Sequence, residues 1–104
     1  MAVEMTFTIP PAAVPPGTLP CEWTGIAVAG MRNQIPSHLT VSDYTQNDED
    51  GTIVVTIDYA TLPGGFQVSG GDIKALLDGQ WPVVRATILQ GGPLSHVTYA
   101  SAEV

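Results

Sequence analysis

Basic residues are nearly missing from this chain: Lys74, Arg32 and Arg85 stand against ten carboxylates, for a formal net charge of −7. A field of that sign repels phosphate backbones, whose neutralisation supplies most non-specific nucleic-acid affinity, so neither DNA nor RNA is expected as a partner. It also disfavours anionic membrane surfaces. No apolar run approaches the roughly 20 residues that a spanning helix needs. Cysteine is present once, at position 21, so no disulfide can staple the chain to itself, which fits a reducing compartment or a particle assembled there. The first residues hold Glu4 where an export signal carries basic residues, and no apolar core with a cleavage site follows. Residence in the cytoplasm, or in a virion if the source is viral, is the corresponding expectation.

What the chain does have is turn formers and strand formers. Gly and Pro supply 11 and 9 residues, and Val and Thr together 22 of the 104, a mix suited to short strands joined by turns. The length allows one compact core. Leu, Ile, Val and Phe make up about a quarter of the residues, enough to fold.

Along the chain, Val3, Met5, Phe7 and Ile9 alternate with Glu4, Thr6 and Thr8, the period of a half-buried strand. Five prolines between Pro10 and Pro20 follow, and their fixed φ predicts an extended connector. Residues 1–20 thus read as an N-terminal strand and Pro-rich arm, and 21–104 as a single β domain. The arm can fold back on its own domain or reach a neighbouring molecule, which makes Val3, Met5, Phe7 and Ile9 candidate interface residues. Residues 21–29 read as a second strand, with Gly25 marking a bulge. Residues 30–38 read as a loop. Residues 39–45 and 52–59 read as a hairpin around 47–51, whose Asp50-Gly51 pair tolerates positive φ, with Ile53, Val55, Ile57 and Tyr59 on one face. A short strand at 66–69, a two-turn helix at 72–78, a strand at 83–90 and a closing strand at 96–104 complete the reading. The predicted fold class is all-β: a small antiparallel β-sandwich or partly open β-barrel with one short helix near 72–78.

Chemistry-bearing residues form no recognisable constellation. Asp48, Glu49 and Asp50 crowd the hairpin turn, as Ca²⁺ ligands do, but an EF-hand register ending at Asp50-Gly51 places Ile57 where the bidentate acid belongs, so a solvated tip is the reading adopted. Cys21, His38, Asp43 and His96 are of zinc-binding type without the close Cys/His spacing of structural zinc sites. Ser37-His38 and Ser95-His96 are adjacent pairs whose side chains diverge on extended backbone, so neither is a nucleophile with its base. Cys21 sits beside Glu22, which opposes thiolate formation. Gly64-Gly65, Gly70-Gly71 and Gly91-Gly92 read as turns; Gly70-Gly71 precedes a helix, but Asp72 already supplies an acceptor to its free amides. Asp43, Asp58, Asp72 and Asp78 cannot be paired across a cleft by sequence, as glycoside hydrolysis would require. No metal and no cofactor is predicted.

A non-enzymatic structural or assembly protein making protein–protein contacts, with itself or with a larger assembly, is the resulting expectation. The Pro-rich arm, the Gly/Thr/Val-rich β domain, the lack of an export signal and the low charge content resemble small virion proteins of tailed bacteriophages. That resemblance implies a capsid decoration or tail accessory subunit and assigns no residue a role. The alternative is a small ligand- or peptide-binding module that uses a barrel mouth or a sheet edge.

Overall fold

In the computed structural model, residues 2–35, 39–58, 70–87 and 92–104 are described. The chain runs as β1 (Ala2–Thr8), a 3-10 turn (Pro11–Ala13), α1 (Pro20–Gln34), β2 (Thr40–Gln46), β3 (Ile53–Asp58), α2 (Gly70–Thr87), a second 3-10 turn (Gly92–His96) and β4 (Thr98–Glu103). The strands form one open sheet in the order β2-β3-β1-β4, and every neighbouring pair is antiparallel. β1 therefore runs parallel to β2 with β3 between them, and α1 connects the two. This β-α-β-β-α-β succession is a split βαβ arrangement.

The fold is mixed α/β, which corrects the all-β expectation; the sheet closes into neither barrel nor sandwich, because two helices cover one of its faces. Residues 21–29 are helical rather than a strand. Pro20 occupies the first turn, where its missing N–H costs nothing, and the Glu22 carboxylate accepts the Leu19 N–H at 3.2 Å. Cys21, Thr24, Ala27, Val28 and Met31 then fall on one buried stripe at helical spacing. The two-turn helix at 72–78 extends to 18 residues, Gly70–Thr87, and absorbs most of the strand read at 83–90. Pro82 lies on its exposed side, and Ile73, Leu77 and Val84 face the core. Burial of that face outweighs the strand preference of Val83 and Val84. The strand read at 66–69 lies outside the described residues. The Pro-rich segment turns instead of extending: Ala13 N–H donates to the Pro10 carbonyl at 3.0 Å and Thr18 N–H to the Pro15 carbonyl at 3.2 Å.

The hairpin matches its reading. Thr52 N–H donates to Asp50 Oδ1 at 2.8 Å, Asn47 N–H to the Thr52 carbonyl at 2.8 Å, and Gly51 turns at φ 77°. A side-chain clamp joins the hairpin to α1, since the fully buried Thr24 hydroxyl donates to the Gly51 carbonyl at 2.6 Å. The core lies between the sheet and the helices. Val3, Met5 and Phe7 of β1 and Ile53, Val55 and Ile57 of β3 are all fully buried there, beneath Ala27, Met31, Ile73 and Leu77.

Candidate interaction surface

The covered face of the sheet accounts for one half of each strand's side chains. The other half projects from the opposite face, over which no helix lies: Glu4, Thr6 and Thr8 on β1, Val54, Thr56 and Asp58 on β3, and Thr98, Ala100 and Ala102 on β4. On β2 a register shift between Val41 and Asp43 leaves Ser42 extra, so that Asp43 and Thr45 join this face opposite Thr56 and Val54. Among the described residues this surface is made of short, flat side chains and three carboxylates, Glu4, Asp43 and Asp58, with no cation and no ring. Tyr44 and Tyr99 project to the helix side, opposite Val55 and Phe7. At one end the Thr8 and Thr98 hydroxyls hydrogen-bond across the strands.

The candidate interface residues read from the sequence lie elsewhere. Val3, Met5 and Phe7 are 0% exposed and Ile9 4%, all inside the chain's own core, and β1 is hydrogen-bonded on both sides, to β3 and β4. β1 is one of the two central strands of the sheet and not a free strand.

A groove of about 610 Å³ runs beside the hairpin tip, where the acidic turn sits. Two of its three acids, Asp48 and Asp50, are occupied by local bonds. Asp48 Oδ1 accepts from Gln46 Nε2 at 2.8 Å and from the Cys21 thiol at 3.6 Å, and Asp50 Oδ1 caps Thr52. That Thr52 contact, from backbone and hydroxyl, holds the Asp50 carboxyl below its ordinary range. Burial, with Asp48 alongside, pushes the Cys21 thiol up and keeps it protonated, the opposite of what a nucleophile needs. Among the described residues no three His, Cys, Asp or Glu side chains are placed to hold a metal ion. His96 is exposed on the second 3-10 turn, and the Ser95 hydroxyl beside it donates to the Gly92 carbonyl at 2.7 Å. Ser37 and His38, like Gly64-Gly65, lie outside the described residues. Gly70 is buried and opens α2.

The acids singled out as possible pairs divide between the two sides. Asp43 and Asp58 lie on the open face, while Asp72 and Asp78 belong to α2. Asp78 is the centre of a polar cluster that the sequence reading does not identify. It accepts from Lys74 Nζ at 2.8 Å, from the Tyr99 hydroxyl at 2.7 Å and from the Ser101 hydroxyl at 2.5 Å. Burial raises its carboxyl, but these donors outweigh it and the net shift is downward. Burial and the Asp78 charge together push the Tyr99 hydroxyl up, so it remains a donor. Tyr99 also stacks on Trp81 at 5.3 Å and tilts against Phe7 at 5.5 Å, which makes the cluster a bolt between α2 and the β4 edge. The signals for it are the four-residue spacing of Lys74 and Asp78 on a helix and the two-residue spacing of Tyr99 and Ser101 on a strand.

No family model, curated protein or solved structure matches the chain. No helix among the described residues is long and apolar enough to cross a membrane.

Proposed function

We propose that the chain is a non-enzymatic structural subunit that joins a larger assembly by docking its open sheet face on a protein partner with a basic contact surface. The observation that carries this reading is the composition of that face. On this face Thr, Ala and Val54 make a flat surface whose charges, among the described residues, are all of one sign, which favours a protein partner of opposite sign and steers its approach. Among the described residues the face has none of the stacking rings and cations with which a four-stranded sheet holds RNA. A virion of the tailed-bacteriophage kind, with the chain as decoration or tail accessory subunit, is the finer form of the proposal and rests on the composition of the chain. The barrel-mouth version of the ligand-binding alternative has no support in an open sheet.

Sedimentation of native extracts tests the reading. The protein is expected in a high-mass fraction, and Glu4→Lys with Thr45→Lys, which places two cations on the face, is expected to release it while the isolated variant keeps its circular dichroism spectrum. A wild-type chain that sediments only as a small species, or a variant retained as well as the wild type, would contradict it.

A further inference from the structure

The outer edge of β4 presents a row of backbone donors and acceptors. Val104 N–H donates to the Ala2 carbonyl at 3.0 Å, and the register with β1 runs on unbroken, from Val3 opposite Glu103 to Thr8 opposite Thr98. Bonded and non-bonded pairs alternate in an antiparallel ladder, so Thr98, Ala100 and Ala102 turn their backbone groups to β1, whereas Tyr99, Ser101 and Glu103 turn theirs outward. Among the described residues nothing bonds those outward groups, since β4 ends the sheet. The opposite edge is built differently. There the extra Ser42 and the charged Asp43 break the line of β2, as natural edges do to refuse a further strand. β4 has no bulge, proline or lysine, and its one charge, Glu103, stands at its end.

We infer that β4 pairs antiparallel with β4 of a second copy, across a two-fold axis at Ser101, to make one continuous sheet from the four strands of each. The edge itself calls for an extended backbone, and the register shows why this chain's own strand fits it. A two-fold at Ser101 sets Tyr99 opposite Glu103 of the second copy and Ser101 opposite itself, so the outward groups of all three residues find partners in both copies. The intervening pairs, Ala100 with Ala102 and Thr98 with Val104, project to the open face, where small side chains suit the closer spacing of non-bonded pairs. Val104, 63% exposed in the single chain, gains a neighbour there. On the helix side Glu103 meets Tyr99 rather than its own copy, so no carboxylate stands directly opposite another across the new pairing. Tyr99 and Ser101 are already held by Asp78 of α2, which presents the edge in a fixed conformation. The axis stands normal to the sheet, so both helix layers lie on one side and both open faces on the other. The pairing leaves those faces uncovered, and it stands or falls independently of the proposed docking.

Residue-resolved amide hydrogen exchange of the full chain at increasing concentration, alongside sedimentation equilibrium, tests the inference. In dilute solution the amides of Ala100 and Ala102 should be protected, and those of Tyr99, Ser101 and Glu103 should exchange freely. As a dimer of twice the 10.9 kDa chain mass forms, the latter three should become protected as well. Ser101→Pro removes an outward donor at the axis and no bond to β1, so it should raise the dissociation constant about tenfold or more while Ala100 and Ala102 stay protected. The wild-type exchange pattern decides the matter even where that variant fails to fold. A chain that remains monomeric at about 1 mM would overturn the inference. So would a dimer in which Tyr99, Ser101 and Glu103 exchange as fast as in the monomer, or a folded Ser101→Pro chain that dimerises as tightly as the wild type.

Discussion

At the scale of single residues, two glycines carry opposite expectations. Gly51 adopts φ 77°, and a Cβ there would come within 2.5 Å of Pro20 Cβ and 2.7 Å of its carbonyl carbon. Gly51→Ala is thus strained twice over and should destabilise the chain by more than about 1 kcal/mol in urea titration. Gly79→Ala should instead stabilise the chain by about 0.5–1 kcal/mol, since the added Cβ finds open space within a helix. Asp78 supplies a pH-dependent term. Its folded pKa lies below the unfolded value because the bonds from Lys74, Ser101 and Tyr99 overcome burial, so its stabilisation is complete above the unfolded carboxylate range and is lost as pH falls through the folded value. Thermal unfolding from pH 6 to pH 2 should show a flatter acid limb for Asp78→Asn than for the wild type. At neutral pH Asp78→Ala should cost about 1–2 kcal/mol, the lower part of the usual range because the carboxylate is 37% exposed.

At the scale of elements, period-two alternation was the dependable signal. Val3, Met5, Phe7 and Ile9 alternate cleanly because β1 has one face on the core, and Ile53, Val55 and Ile57 do so for the same reason. The hairpin between β2 and β3 was legible in its turn chemistry, down to the positive φ at Gly51. α1 was not legible. Thr24, Gly25, Ile26 and Val28 are weak helix formers, and only packing of the Cys21, Thr24, Ala27, Val28 and Met31 stripe on the sheet and hairpin makes residues 20–34 helical. Pro82 likewise looks like a helix end in sequence, whereas its ring sits on the outer side of a helix whose inner side is held by Leu77 and Val84. Ile57→Ala should cost about 2–5 kcal/mol in denaturant titration and Thr56→Ala much less, because the two project to opposite faces of β3. Deletion of residues 1–9 removes a strand paired on both sides and four core side chains, so the truncated chain should lose its cooperative unfolding transition and near-ultraviolet spectrum. A truncated chain that unfolds cooperatively would contradict the central place of β1.

At the scale of the whole molecule, the candidate surface was only partly legible. The polar halves of β1 and β3 can be read from their alternation, but whether a second layer covers them depends on where the intervening segments go. Once residues 20–34 and 70–87 are helices on one side, the second sheet of a sandwich has no chain left to build it among the described residues. The net charge of −7 was legible from composition; that Glu4, Asp43 and Asp58 share one face required the strand register. The most direct test of docking through this face is thiol labelling of Ala100→Cys in a Cys21→Ala background, since Ala100 is exposed at the centre of β4 on the open side. The cysteine is expected to react freely in the isolated chain and to be protected in the native high-mass fraction. A cysteine that is shielded in the isolated chain, or equally reactive in both, would contradict an open face that a partner covers.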